Sequence, residues 1–120
     1  MTVQLFAGIP VTDLDAAIDW YRRLLGQDVS FRPEESEAVW QLDDAAFLYV
    51  KAGRDVAGGA LVAITADDLD TFLEDAAGEG ITPADIERYD EGTRKAVFFD
   101  PDGNELGVIS LPDTATSRGA

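Results

Sequence analysis

Apolar positions along this 120-residue chain follow two spacings in turn. Leu14, Ala17, Ile18, Tyr21, Leu24 and Leu25 recur at the i, i+3, i+4, i+7 steps that place side chains on one stripe of a helix. Gly26 follows, where a left-handed C-cap needs no side chain. Thr12 and, three residues on, Asp15 have the spacing of a capping box with Asp for the usual Glu, which starts this helix at Asp13. Leu69, Phe72, Leu73, Ala76 and Ala77 make a shorter stripe of the same kind, closed by Gly78 and Gly80. After each helix the spacing shifts to two and the residues to β-formers. This predicts strands over 29–31, 38–42 and 47–50, and again over 86–89, 94–99 and 105–109. The last two are joined by Asp100-Pro101-Asp102-Gly103-Asn104, a turn in which Pro pre-sets φ and Gly accepts positive φ.

The chain is written twice. Sliding it by 55 positions lays residues 5–15 on residues 60–70, and both copies read as strand, acidic turn, helix. Each half is then β-α-β-β-β, an α+β arrangement. The Gly-rich stretch 52–59 separates a first module of about residues 3–52 from a second of about 58–111, within a single domain spanning 1–113. Residues 114–120 lack apolar anchors and are expected as a flexible tail.

Composition narrows the chemistry. A mass of 12.9 kDa leaves roughly 6,300 Å² of surface from about 18,700 Å² extended, so a core can form without disulfides. With no His and no Cys, there is no imidazole base, no thiol nucleophile and no Cys/His zinc site. The 24 acidic residues against 9 basic ones give a net charge of −15, which repels phosphate backbones and anionic membranes; neither nucleic acid nor membrane is an expected partner. The same field attracts a cationic small molecule, although acidity also simply keeps a small protein soluble. The absence of Cys, of a basic leader and of any long apolar run makes a cytoplasmic location the expectation.

Residues 11–21, followed by Leu24-Leu25-Gly26 and later by Phe99-Asp100-Pro101-Asp102-Gly103-Asn104, resemble the vicinal oxygen chelate superfamily. That group includes glyoxalase I, extradiol dioxygenases, and fosfomycin and bleomycin resistance proteins. The resemblance runs over residues 3–111. It implies two tandem βαβββ modules whose sheets curl around a cavity with helices on the outer face, in a homodimer. It also implies a metal site, and here the sequence departs. The ligand positions of the metal-dependent members fall on Phe6, Leu61, Gly107 and, within about one residue, Tyr49. These residues supply at most one poor ligand, so neither a metal nor another cofactor is expected.

The resemblance places Phe6 on the inward side of its strand. Alternation then puts Gly8, Phe47, Tyr49, Lys51, Leu61, Ala63, Thr65, Glu105, Gly107 and Ile109 on the inward faces. The complementary set is Val62, Ile64, Leu48, Val50, Leu106 and Val108, all aliphatic, as a helix-covered face requires. The candidate ligand-binding residues are Phe6, Gly8, Trp40, Phe47, Tyr49, Leu61, Ala63, Phe98, Glu105 and Gly107. Pattern alone leaves Trp40 and Phe98 open between cavity wall and core. It also leaves Phe6 and Tyr49 open between lining a cavity and filling it. The leading expectation is a metal-free protein that sequesters or carries an organic, cationic ligand in an aromatic-lined cavity. Competing with it are a lyase or isomerase using Glu105 or Tyr49 for proton transfer, a dioxygenase-like enzyme with relocated metal ligands, and a module whose filled pocket leaves only its surface to bind a protein.

Overall fold

Seven strands and two helices carry the two-module pattern in the computed structural model, which describes residues 3–110. In chain order they are β1 (Leu5–Pro10), α1 (Leu14–Leu25), β2 (Glu37–Asp43), β3 (Ala46–Lys51), β4 (Leu61–Ala66), α2 (Leu69–Gly78), β5 (Asp85–Arg88), β6 (Arg94–Phe99) and β7 (Glu105–Ser110). The first module makes a three-stranded sheet in the order β1-β3-β2, the second a four-stranded sheet in the order β4-β7-β6-β5. In each, the opening strand pairs in parallel with the closing one, and the remaining pairs are antiparallel. The flexible-tail expectation for 114–120 lies outside the described residues.

The strand predicted over 29–31 is reduced to a single bridge between Phe31 and Val39. Ser30 and Phe31 both donate their N–H groups to the Val39 carbonyl, and Pro33, with no N–H, cannot extend the ladder. The predicted capping box is also corrected. Asp13, not Thr12, caps α1, its carboxylate accepting the Ala16 N–H at 3.1 Å. Gly26 ends the helix at φ 72°, as a left-handed cap requires. Asp68 caps α2 by accepting the N–H and the hydroxyl of Thr71, bonds that hold its carboxyl below the usual carboxylate range. Ala77, assigned to the apolar stripe, is exposed.

The core lies between the helices and the outer face of each sheet. Ile9, Leu48, Val50, Leu106 and Val108 are buried there, with Tyr21 and Leu24 of α1 and Leu69 and Ala76 of α2 above them. Trp40 and Phe98 belong to this layer and not to a cavity wall. In register Trp40 lies opposite Leu48 and Phe98 opposite Leu106, and directly paired residues share a face. Trp40 packs against Tyr21 and donates its indole N–H to the Gln27 carbonyl at 3.1 Å. Phe98 meets Phe72 edge-on. Neither can touch a ligand on the open side.

The turn joining β6 to β7 does more than reverse the chain. Asp100, buried, accepts four hydrogen bonds: from the N–H groups of Asp102 and Asn104 on one oxygen, and from the Asn104 amide and the Tyr21 hydroxyl, at 2.8 Å, on the other. Asn104, wholly buried, donates in addition to the Pro10 carbonyl at the end of β1 and accepts from Ala60 ahead of β4. Asp102 accepts the Thr12 N–H. Gly58, at φ 87°, lies so close to the Asp102 carbonyl that a Cβ would collide with it. The turn thus latches the second module to the first strand and helix of the first.

Burial, and then the Asp100 charge, push the Tyr21 hydroxyl far above the ordinary phenol range. Above about pH 10 tyrosines of the unfolded chain ionise, whereas folded Tyr21 keeps its proton. Its contribution to stability is therefore complete below about pH 10 and is lost as the pH rises further, at about 1.4 kcal/mol per unit. Urea unfolding followed from about pH 9 to about pH 11.5 should show that slope. Tyr21→Phe should flatten it while lowering neutral-pH stability by about 1–2 kcal/mol. An alkaline slope unchanged in Tyr21→Phe would mean that the pair does not hold the phenol protonated.

Candidate functional site

Each sheet turns one face away from its helices. On the first, the Phe6 and Phe47 rings stack 4.3 Å apart and Phe31 meets Phe47 edge-on. Gly8 and Tyr49 are paired across β1 and β3. The Tyr49 ring lies flat over Gly8, where an added Cβ would sit 2.5 Å from its Cζ; only glycine leaves that room. A hollow of about 200 Å³ beside them is lined by Phe6, Pro33, Glu37, Val39 and Tyr49. Phe6 remains half-exposed while Phe47 is nearly buried. Lys51 extends the row toward Glu34 and Glu37, 3.4 and 3.7 Å from its ammonium.

On the second sheet, Leu61, Ala63 and Thr65 of β4 lie beside Glu105, Gly107 and Ile109 of β7. Leu61 is among the most exposed apolar residues of the chain. Lys95 of β6 crosses this face diagonally. Its stem covers Gly107, where a Cβ would collide with Lys95 Cε, and its ammonium stops 3.5 Å from Glu105 Oε2. Lys95 was absent from the candidates read from sequence. A glycine inside a strand does signal a close approach by another group, and Gly107 was that signal.

Among the described residues no ladder joins the two sheets, and β1 and β4 each stand at an edge. Between those edges lies a cleft of about 620 Å³. Leu5, Ala7, Leu48, Val62 and Ile64 give it apolar walls, Phe47 and Ala63 reach it from the two open faces, and Asp43 and Asp67 add carboxylates. Among the described residues no cationic side chain lines it.

The candidate residues therefore fall into two groups. Phe6, Gly8, Phe47 and Tyr49 come together on the first sheet, and Leu61, Ala63, Glu105 and Gly107 on the second. Phe47 and Ala63 meet at the cleft, and Trp40 and Phe98 are in the core. The two proton-transfer candidates, Tyr49 and Glu105, sit on different sheets and share none of these hollows.

The family's metal positions do not fit an ion. Phe6, Leu61 and Gly107 offer no donor, Tyr49 lies over Gly8, and a positive charge lies beside Gly107. Among the described residues no three His, Cys, Asp or Glu side chains come together as ligands would. No helix among them is long and apolar enough to cross a membrane.

The model of the glyoxalase/bleomycin resistance protein/dioxygenase superfamily matches residues 3–108. Among solved structures, a glyoxalase/bleomycin resistance protein from Catenulispora acidiphila is 41% identical with a TM-score of 0.89, over 92% of this chain and 100% of that one. A bleomycin-binding protein solved in complex with bleomycin is 26% identical (TM-score 0.73, 92% and 99% covered). A bleomycin resistance determinant encoded on the transposon Tn5 is also 26% identical (TM-score 0.75, 91% and 98% covered). No curated protein matches the sequence.

The two glycines under side chains give a direct check. Gly8→Ala should force the Tyr49 ring off the strand and cost about 1–3 kcal/mol in urea unfolding. Gly59→Ala, where nothing lies within 4 Å of the added carbon, should stay within about 0.5 kcal/mol of the parent. Equal effects at the two positions would show that the ring does not rest on Gly8.

Proposed function

The chain belongs to the glyoxalase/bleomycin resistance protein/dioxygenase superfamily, and on that premise we propose that it is a metal-free binding protein which sequesters or carries a cationic organic molecule. The observation that carries the reading is the cleft between β1 and β4. Its volume suits a small organic molecule, its walls are apolar, and the only charges lining it among the described residues are the carboxylates of Asp43 and Asp67. A ligand with an apolar body and an ammonium group would bury the first and pair the second. The phenylalanine cluster of Phe6, Phe31 and Phe47 adjoins the cleft through Phe47 and supplies aromatic surface. The net charge of −15 draws such a ligand toward the protein over longer distances. Similarity to proteins that bind bleomycin supports the small-molecule class without naming the ligand. The absence of a donor set at the family's metal positions supports binding without a metal.

The reading includes a cytoplasmic homodimer. Val3, Leu5, Phe6, Phe31, Leu61 and Phe99 are exposed on one chain, an amount of apolar surface that a second copy would cover. Sedimentation velocity should give about twice the 12.9 kDa chain mass.

Thermal shift of the intact protein with bleomycin and with phenethylammonium tests the binding. Organic ammonium compounds should raise the melting temperature, and Asp43→Asn and Asp67→Asn should each weaken binding about threefold, the scale of an exposed ion pair. Unchanged melting with every ammonium compound, or full affinity in the double variant, would sink the cleft as the site. Metal analysis of protein purified without chelator should find no stoichiometric transition metal; one Ni, Zn, Mn or Fe per chain would overturn the metal-free part.

A further inference from the structure

We propose that Lys95 is an anchor for an anionic oxygen of the ligand, taking an organic carboxylate on the open face of the second sheet. The proposal deepens the small-molecule reading and rests on it. Three observations meet at this residue. The stem of Lys95 is laid down over Gly107, the one residue type that leaves space for it, so the ammonium is delivered to the middle of the face and does not wave from its edge. The side chain is only 19% exposed, so most of its motion is already frozen before any ligand arrives.

The ammonium itself is under-used. Its ion-pair partner among the described residues is Glu105, at 3.5 Å, and none of its three donors closes a hydrogen bond to a described residue. Among the described residues no fully buried side-chain nitrogen lacks a partner, so the ammonium reaches the surface, with donors open to an incoming acceptor. A carboxylate there would gain charge-assisted hydrogen bonds. Gly107 is also the place where the family resemblance expects a metal-binding Glu. This chain puts a fixed positive charge beside that position, and a charge of that sign attracts the same oxygen anions that a metal would while excluding the metal.

Ala63 connects this anchor to the cleft, since it lines the cleft and pairs with Gly107 in register. A molecule lying along β4 can therefore meet Asp43 or Asp67 with a cationic group and Lys95 with an anionic one.

NMR titration of the intact, ¹⁵N-labelled protein with sodium phenylacetate tests the anchor, with phenylacetamide as the neutral analogue. Phenylacetate should shift the amides of Ala63, Lys95 and Gly107, and phenylacetamide should not. Lys95→Met keeps a stem over Gly107 and should weaken phenylacetate about tenfold or more; Glu105→Gln removes the competing carboxylate and should tighten it. Phenylacetate shifts that map elsewhere, equal affinity in a Lys95→Met protein of unchanged melting temperature, or phenylacetamide binding as well as phenylacetate would overturn the proposal. Titrating the wild type with phenethylammonium reports the cleft separately through Asp43 and Asp67. A response there without one to phenylacetate removes the Lys95 anchor and keeps the cleft, and the reverse outcome removes the cleft.

Discussion

A buried carboxylate, ion-paired with no cation among the described residues, holds the two halves of this protein together. Asp100 is satisfied by four hydrogen bonds, two from the backbone of its own turn, one from Asn104 and one from Tyr21 in the other module. Burying an ionised group costs several kcal/mol unless every lone pair finds a donor, so the turn must keep one conformation. That conformation fixes Asn104, whose amide then bridges the end of β1 to the residue ahead of β4. The separation of the edge strands, and hence the width of the cleft between them, follows from this bridge. Two sheets that share no ladder among the described residues acquire a defined spacing from Asn104 together with the Tyr21–Asp100 and Thr12–Asp102 bonds across the same junction.

The open faces follow a second constraint, the exchange of a side chain for space. At Gly8 and at Gly107 a strand gives up its Cβ, and a long side chain from the adjacent strand lies flat in the vacated room, Tyr49 in the first module and Lys95 in the second. The device is the same and the chemistry is opposite. A phenol sits on an aromatic face, and an ammonium sits on a face built from Ala63, Thr65 and Glu105. The two glycines are not counterparts in the internal repeat, since Gly8 on an opening strand corresponds to Ala63 and Gly107 on a closing strand corresponds to Tyr49, so each module reaches the arrangement on different strands. The two faces are not redundant copies of one site.

Much of this was legible before any coordinates. Helix stripes, Gly26 and the alternation on β1, β3, β4 and β7 depend on local spacing, and local spacing is written in the chain. The facing of Trp40 and Phe98 was not legible, because both sit in apolar runs that blur the alternation: Ala38 and Val39 before Trp40, Val97 and Phe99 about Phe98. Only the register with Leu48 and Leu106 decides them. The 29–31 segment had β-forming residues but lacked a partner beyond Val39, and pairing is a property of two strands. Thr12 was misread for a related reason. Its spacing to Asp15 suits a cap, but its N–H is taken by Asp102, a residue ninety positions away that no local pattern brings near.

Net charge was the most visible number in the sequence and the least informative about the site. The two lysines, Lys51 and Lys95, both lie on the open faces. Each faces a carboxylate, Glu34 and Glu37 in one case and Glu105 in the other. The second face also carries Asp85 and Glu87, opposite Val97 and Lys95 in register, so both faces hold more carboxylates than lysines; most of the excess acid lies at helix starts, turns and loops exposed to water, where screening over about 8–10 Å blunts it at physiological salt. A chain of −15 can thus attract cations from a distance and still present a positive group at short range. Which charge a bound molecule meets is set by the few ångströms between the Lys95 ammonium and its neighbours, and that local field is fixed by Gly107, a residue with no charge at all.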